Sequence, residues 1–313
     1  MSHPHRVAII GMGHVGSTAA YALLLSGLAP EIVLVDLDSR RAEGEAMDLM
    51  HAVPFSDPVR VWAGGYDDVE GAAVVVLAAG ANQRPGETRL ELLGRNAAIL
   101  REIVPQVLER APGAILLVTT NPVDVLTWAT LSASALPPER VIGSGTILDT
   151  ARFRSLLSQH FGVDARSVHA HIIGEHGDTE VAAWSIATIG GMPLADFQAA
   201  RGRTLDAATR ERIVTDTRRA AYEIIERKGA TYYAVAAGVV RIIRAILRDE
   251  SGVLTVSSLL AGSYGLAGVC LSLPCIVNRS GIAQLLDPPL APDELAALHH
   301  SAEILKSAQQ SLA

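Results

Sequence analysis

The feature of this sequence that most constrains its fold is a glycine-rich loop between a short apolar strand and a helix. Arg6 to Ile10 has the composition of a β-strand, Gly11-Met12-Gly13-His14-Val15-Gly16 comes next, and Ser17 to Ser26 has a helical pattern. In such a unit the first glycine permits a tight turn, the second lets a pyrophosphate approach the backbone, and the third permits close helix packing. A lone GxGxxG motif is weak support for a dinucleotide site, so its weight depends on the strand and the acid downstream of it.

A second predicted strand runs from Glu31 to Asp36 and ends in an acid twenty residues after Gly16. An acid at this spacing is placed to bind a ribose 2′-hydroxyl, and its charge would repel the 2′-phosphate of NADP. The sequence therefore predicts NAD as the cofactor. Arg40 and Arg41 lie close to the acid and leave NADP open as an alternative.

Strands and helices then alternate along the chain, with strands at Ala73 to Ala79, Ala114 to Thr119 and Val141 to Gly145 and a helix at Arg89 to Arg110. This alternation predicts an α/β protein with a parallel sheet and right-handed crossovers. We expect a Rossmann-type N-terminal domain over residues 1–146 and an α+β C-terminal catalytic domain over residues 147–313. Ligands of parallel sheets bind beyond the carboxyl ends of the strands, where the glycine loop lies.

Composition excludes several classes of partner. The formal net charge is −7, so no basic surface is available for nucleic acid or for an anionic membrane. Cys270 and Cys275 are the only cysteines and do not form a CxxC pattern, which predicts neither a disulfide framework nor a metal site. The N-terminus lacks a secretory signal pattern and no apolar run reaches membrane-spanning length, so we expect a cytoplasmic protein.

Candidate catalytic groups occur in two stretches of the second half. His176 lies among glycines and acids directly after the apolar run Val168 to Ile173, where an imidazole could transfer protons at neutral pH. Asp149 and Arg152 are three residues apart on a predicted helix, so they share a face on which one could orient an imidazole and the other bind an anion. Taken singly, the histidine is also compatible with a surface turn and the Asp–Arg pair with an ordinary helix surface.

Together with Asn121-Pro122-Val123-Asp124 and the polar loop from Ala81 to Thr88, which could close as a lid, these motifs resemble the L-lactate and malate dehydrogenase family. The resemblance extends from Val7 to about Lys306 and is strongest to the bacterial lactate members. It implies NADH-dependent reduction of pyruvate to (S)-lactate, in glycolysis and fermentation, by a homotetramer. The alternatives are a malate dehydrogenase and a dinucleotide-binding sensor or scaffold that has lost catalysis.

The resemblance also implies a role for each site residue. His176 would donate the proton to the substrate carbonyl, Asp149 would orient the imidazole, Arg152 would bind the substrate carboxylate, and Arg89 would polarise the carbonyl. Further substrate contacts are expected from Gln83, Asn121, Asp124 and Thr231. The expected cofactor contacts are Gly11, Gly13, Val15, Gly16, Asp36, Arg41, Tyr66, Gly80, Ala81 and Asn121.

Three further features bear on specificity and regulation. Gln83 is neutral where malate enzymes carry an arginine, which favours pyruvate over oxaloacetate. Arg154 and His169 match positions that bind fructose 1,6-bisphosphate in activated bacterial members, so we expect allosteric activation. Gly94 departs from the family pattern: it is predicted to interrupt the helix after the lid at a cost of about 1 kcal/mol in helix propensity. Residues 266–273 are also less like the family.

Overall fold

The computed structural model describes residues 5–81, 84 and 86–312 of the 313-residue chain. The helices are α1 (His14–Ser26), α2 (Ser39–Ala52), α3 (Arg89–Arg110), α4 (Val123–Ser134), α5 (Ile147–Phe161), α6 (Leu194–Arg201), α7 (Ala207–Lys228), α8 (Tyr233–Leu247) and α9 (Pro292–Gln310). The strands of the first half are β1 (Arg6–Ile10), β2 (Glu31–Val35), β3 (Arg60–Ala63), β4 (Ala72–Leu77), β5 (Ile115–Val118) and β6 (Val141–Gly143). Those of the second half are β7 (Val168–His169), β8 (Ile172–Ile173), β9 (Val181–Ala182), β10 (Thr188–Ile189), β11 (Met192–Pro193), β12 (Gly252–Ala261), β13 (Ala267–Asn278) and β14 (Gly281–Leu285).

One large sheet organises the molecule, in the order β14-β13-β12-β6-β5-β4-β1-β2-β3. The strands from β6 to β3 are all parallel, and β12, β13 and β14 continue the sheet with antiparallel pairing. The link between the two parts is the pair Ser257 and Gly143. This arrangement confirms the predicted α/β fold with a Rossmann-type sheet.

Apolar side chains fill the space on both faces of the sheet, because helices cover both faces of a parallel sheet. One buried cluster joins the strands to α3, α4 and α9, and the other joins them to α1, α2 and α8. A third cluster lies under α5 in the second half, around Phe153 and Phe161. In this half β9 and β10 are two-residue strands, and a 3₁₀ turn at Trp184–Ile186 lies between them.

Two of the three glycines of the first loop, Gly11 and Gly16, are sterically required. Gly11 has φ +100° and an added Cβ would lie 2.4 Å from the backbone nitrogen of Ala79. At Gly16 an added Cβ would lie 1.9 Å from the carbonyl oxygen of Gly11. A side chain at either position would force the loop away from the neighbouring strand or from its own helix.

Helix α3 corrects the expectation for Gly94. The helix runs unbroken across this glycine, whose Cβ position has open space around it. Its start is fixed by a capping box: Glu91 N–H donates to Thr88 Oγ1 at 3.2 Å, and Thr88 N–H donates to Glu91 Oε2 at 2.8 Å. Over the described ranges, no helix is both long and apolar enough to cross a membrane.

Candidate active site

A groove lies at the carboxyl ends of β1, β2 and β4, and its cavity has a volume of about 710 Å³. Six of the expected cofactor residues line it, namely Gly11, Gly13, Asp36, Arg41, Tyr66 and Gly80. Leu37, Ser39, Glu43, Ile99 and Glu102 also line the groove and carry no motif that would have identified them. A long groove beside a helix start and a glycine-lined backbone fits a dinucleotide.

The carboxylate of Asp36 is held by the backbone on both sides. Met12 N–H donates to its Oδ2 at 2.5 Å and Asp38 N–H donates to its Oδ1 at 2.9 Å. The glycine loop and the turn after β2 are thereby joined through one acid at the edge of the groove. This fixed position fits the role predicted for Asp36, because a ribose hydroxyl can donate to the remaining lone pairs.

The remaining expected cofactor residues lie beside the groove rather than in its lining. Val15 and Gly16 are in the first turn of α1. Ala81 N–H donates to the side chain of Asn96 at 2.8 Å, and Asn96 Nδ2 donates to the carbonyl of Asn121 at 3.1 Å. Asn96 is 3% exposed and was not predicted from the sequence, although it sets the relative positions of two predicted residues.

A short contact in the second half of the chain joins His176 to Asp149. Nδ1 of His176 and Oδ2 of Asp149 are 2.5 Å apart, and Arg152 Nη1 donates to the other carboxylate oxygen at 2.8 Å. Asp149 is 2% exposed, whereas the His176 side chain keeps 24% of its surface. The structure thus brings together three predicted catalytic residues from two separate stretches.

Charge and burial shift the pKa values of His176 and Asp149 in opposite directions. Burial lowers the pKa of His176, but the charge and the hydrogen bond of Asp149 outweigh it and raise the pKa to about 9. Burial raises the pKa of Asp149, but His176 and Arg152 outweigh it and the pKa lies below its ordinary value. At neutral pH the pair is therefore an imidazolium beside a carboxylate, which is the form that can donate a proton.

Asp124, an expected substrate contact, lies beneath the segment from Gly174 to Thr179 that carries His176, here called the catalytic loop. It is 2% exposed, and its Oδ2 accepts a 2.7 Å hydrogen bond from the backbone N–H of His176. Burial raises the pKa of Asp124 to about 6. Because its carboxylate lies under the catalytic loop, we assign Asp124 to holding the backbone of that loop in place.

The C-terminal helix also holds this loop, through a residue that the sequence did not single out. Ser301 of α9 is fully buried, and its Oγ accepts from the N–H of Glu175 at 2.8 Å and lies 3.1 Å from Thr179 Oγ1. Gly174 pairs with Ser272 of β13 through two backbone hydrogen bonds of 2.8 and 2.9 Å. The residues flanking His176 are thus anchored on both sides.

The other predicted substrate residues are more exposed. Arg89 is the first residue of α3, its side chain is 82% exposed, and its Nη1 lies 3.9 Å from Asp178 Oδ2. Tyr222 of α7 donates to the other oxygen of Asp178 at 2.9 Å. Thr231 lies between α7 and α8 and is half-buried. Gln83 lies outside the described residues.

The two predicted effector residues lie on adjacent elements. Arg154 of α5 donates through Nε to the carbonyl of Ala170 at 2.8 Å, directly after His169 of β7. Burial lowers the pKa of Arg154. His171 lies close by, and burial, then Arg154, then His169 lower its pKa to about 4.

Both cysteines are buried, and burial raises their pKa values. Within residues 5–81, 84 and 86–312, no group of three or more His, Cys, Asp or Glu side chains is arranged to hold a metal ion.

The chain is similar to known proteins along almost its whole length. The family model for the lactate/malate dehydrogenase NAD-binding domain matches residues 5–143, and the one for the lactate/malate dehydrogenase α/β C-terminal domain matches residues 146–312. The L-lactate dehydrogenase of Thermus aquaticus is 55% identical over 307 residues, covering 98% of this chain and 99% of the relative. That of Thermoanaerobacter sp. is 52% identical over 308 residues, covering 98% and 99%.

Solved structures give the same result for the fold. The minor L-lactate dehydrogenase of Enterococcus mundtii in its ligands-bound form superposes with a TM-score of 0.95 at 42% identity, covering 99% of each chain. A lactate dehydrogenase from a Medee basin deep-sea metagenome library superposes with a TM-score of 0.96, also at 42% identity and 99% of each chain.

Proposed function

The chain belongs to the lactate/malate dehydrogenase family and is an NAD-dependent oxidoreductase, and we propose that it interconverts pyruvate and (S)-lactate. The observation that carries the proposal is the 2.5 Å contact between His176 and Asp149, with Arg152 on the same carboxylate. The relatives that are named L-lactate dehydrogenase and share 50–55% of their residues with this chain support the choice of substrate.

Bound NADH supplies the hydride to the substrate carbonyl carbon. His176 supplies the proton to the carbonyl oxygen, since its raised pKa of about 9 keeps the ring protonated at neutral pH. Asp149 stabilises that imidazolium and fixes which nitrogen faces the substrate, because it occupies Nδ1 and leaves Nε2 for proton transfer. In lactate oxidation the neutral ring accepts the proton, so the reverse rate rises with pH.

Arg152 is suited to bind the substrate carboxylate. One of its nitrogens is bonded to Asp149, and 13% of its side chain remains exposed. The other N–H groups of the planar guanidinium can form a two-point hydrogen bond with a carboxylate, which lysine does not reproduce. Arg89 would approach the carbonyl when the lid closes and stabilise the developing charge in the transition state.

The proposed cofactor site and the proposed catalytic residues lie in different proposed domains. The residues that line the groove for the cofactor lie between Ile10 and Ile103, in the proposed domain 1–146, whereas Asp149, Arg152 and His176 belong to the proposed domain 147–313. A homotetramer remains a prediction from the family resemblance, and a cytoplasmic location remains a prediction from the sequence. A sensor or scaffold without activity has no physical reason to keep a buried carboxylate, an imidazolium and a guanidinium in one cluster, since burying charged groups costs free energy.

The test is the loss of NADH absorbance after addition of pyruvate, repeated with oxaloacetate at equal concentration. We expect pyruvate to be reduced with the higher kcat/KM. A higher value with oxaloacetate would make the protein a malate dehydrogenase. No NADH oxidation with either substrate would favour the sensor.

We also propose activation by fructose 1,6-bisphosphate at Arg154 and His169. Arg154 and His169, two groups that can carry positive charge, lie close together here, and among the described residues Arg154 forms no ion pair with a carboxylate. A bisphosphate would neutralise them, and Arg154 lies two residues beyond Arg152 on the same helix. A coupling of about 1–3 kcal/mol would raise pyruvate affinity about 5–150-fold.

Pyruvate saturation curves with and without the bisphosphate test this activation, for the wild type and for Arg154→Gln with His169→Ala. Identical curves for the wild type would contradict the proposal. Activation that survives in the double variant would place the effector elsewhere.

A further inference from the structure

Two aromatic side chains join the glycine loop to the segment between α7 and α8. The rings of His14 and Tyr232 are stacked, with their centroids 5.1 Å apart and their planes 22° from parallel. This separation lies within the range of favourable offset stacking. His14 is the first residue of α1, and Tyr232 is the N-cap of α8. The contact therefore connects the predicted pyrophosphate loop with the residue directly after Thr231, an expected substrate contact.

Two further side chains hold the ring of Tyr232. The ammonium group of Lys228, the last residue of α7, lies 3.5 Å from the centroid of the Tyr232 ring and 4.0 Å from that of Tyr233. The two tyrosine rings also contact each other, with centroids 4.6 Å apart and planes at 63°. A cation over a ring and an inclined aromatic pair are both favourable. The ring that meets His14 is thus fixed from the second half of the chain as well.

Helices α1 and α8 pack against each other, and each begins at one of the two stacked rings. Leu23 of α1 and Val239 of α8 belong to the same buried apolar cluster. Residues 229–232 are the whole connection between α7 and α8. Adjacent Cα atoms across a trans peptide are about 3.8 Å apart, so Thr231 cannot move far while the ring of Tyr232 stays in place. The position of Thr231 therefore depends on the stack.

We propose that His14 and Tyr232 are positioning residues: their stacked rings link the glycine loop to Thr231, so that a bound cofactor strengthens the binding of the 2-oxo acid substrate. A pyrophosphate on the backbone N–H groups of the loop restricts the loop and the first turn of α1. His14 then restricts Tyr232, and less freedom remains to be lost when Thr231 meets the substrate. The inference rests on the proposed function, which supplies the substrate that Thr231 would contact.

The first test is the kinetics of pyruvate reduction at saturating NADH in the wild type, His14→Ala, Tyr232→Ala and the double variant. In His14→Ala the KM for pyruvate should rise about 2–12-fold, the range that one aromatic pair contributes, while kcat changes little. The Kd for NADH should also change little in His14→Ala, because the backbone N–H groups of the loop remain. The double variant should have the same KM as Tyr232→Ala, and effects that multiply would show that the two rings act independently.

A conservative variant and a matched histidine separate the stack from a general effect of substitution. His14→Phe keeps an aromatic ring at this position, so its KM for pyruvate should be close to that of the wild type. His51→Ala removes an exposed histidine from the last turn of α2 and should change neither KM nor kcat. The inference would be overturned by a KM for pyruvate that is unchanged in His14→Ala, or that rises equally in His14→Phe and His14→Ala.

The second test is hydrogen–deuterium exchange, which is independent of turnover. Saturating NADH should slow the exchange of the backbone amides of residues 229–233 in the wild type, and this slowing should be largely lost in His14→Ala. Because His14 is exposed, its replacement leaves the buried core intact. No slowing in the wild type, or equal slowing in both proteins, would contradict the link. If neither pyruvate nor oxaloacetate is reduced, the proposed function fails, while the exchange result still decides whether the stack transmits cofactor binding.

Discussion

Replacing Asp149 by asparagine tests the central hydrogen bond of the proposed mechanism. Asparagine has nearly the same shape but carries no charge and has one acceptor oxygen, so it can accept from Arg152 or from Nδ1–H of His176 but not from both. The variant loses the attraction that holds a proton on the imidazole. Burial and the neighbouring Arg152, which both lower the pKa of His176, then act with less opposition.

The expected loss of activity in the Asp149→Asn variant follows from the pKa of His176. Asp149 is the main group that raises it from an ordinary 6.5 to about 9, a change of roughly 3 kcal/mol at about 1.4 kcal/mol per pKa unit. At pH 7.5 the ring is then almost fully protonated in the wild type. With a pKa at or below 6.5 it would be about one-tenth protonated or less in the variant. Protonation alone thus lowers pyruvate reduction about tenfold, and the loss of an oriented acid raises the total to about 10²–10⁴-fold.

The assay is the pH profile of kcat/KM between pH 5.5 and 9, with NADH binding measured separately by fluorescence. The variant should bind NADH normally, since the groove lies in the first half of the chain, and its remaining activity should increase towards pH 5.5. Asp164→Asn is the matched control, because Asp164 is a surface acid paired with Arg166. If the variant keeps the wild-type ratio of activity at pH 5.5 and pH 8, Asp149 does not set the proton affinity of His176.

Three further predictions concern positions around the site. Ser301→Ala removes the acceptor of the Glu175 N–H. We therefore expect the protein to lose about 1–3 kcal/mol of stability in thermal unfolding and to have a lower kcat, with an unchanged KM for NADH. Ser307→Ala, on the exposed face of the same helix, should change neither the stability nor the kcat. Gly16→Ala places a Cβ 1.9 Å from the Gly11 carbonyl and should abolish NADH binding in a fluorescence titration, whereas Gly44→Ala in α2, with open space, should bind NADH normally. In the wild type we expect pyruvate to be preferred over oxaloacetate about a thousandfold in kcat/KM, because the second carboxylate of oxaloacetate would be buried without a partner. Gln83→Arg should supply that partner and reverse the preference. An unchanged ratio would show that the lid does not select the substrate.

The sheet and the cofactor groove could be predicted because each of their signals lies within a short stretch. The glycine loop, the acid at Asp36 and the apolar strands specify their own backbone conformation and their own faces. The structure adds the steric reason, since a Cβ at Gly11 or Gly16 would collide with backbone atoms. Gly94 was misjudged because helix propensity is a weak preference, and the capping box at Thr88 and the packing of α3 on the sheet outweigh it.

The hydrogen bonds that hold the catalytic loop could not be predicted from the sequence, because they join residues far apart in the chain. Asp124 and His176 are separated by 52 residues, and Glu175 and Ser301 by 126. In the sequence Ser301 is one serine of a C-terminal helix, and Asp124 is an acid in a helix first turn, where acids are common for electrostatic reasons alone. Only the fold shows that each one accepts a backbone N–H of the loop that carries the proposed proton donor. The sequence therefore predicts which groups react, and the long-range packing determines how firmly they are held.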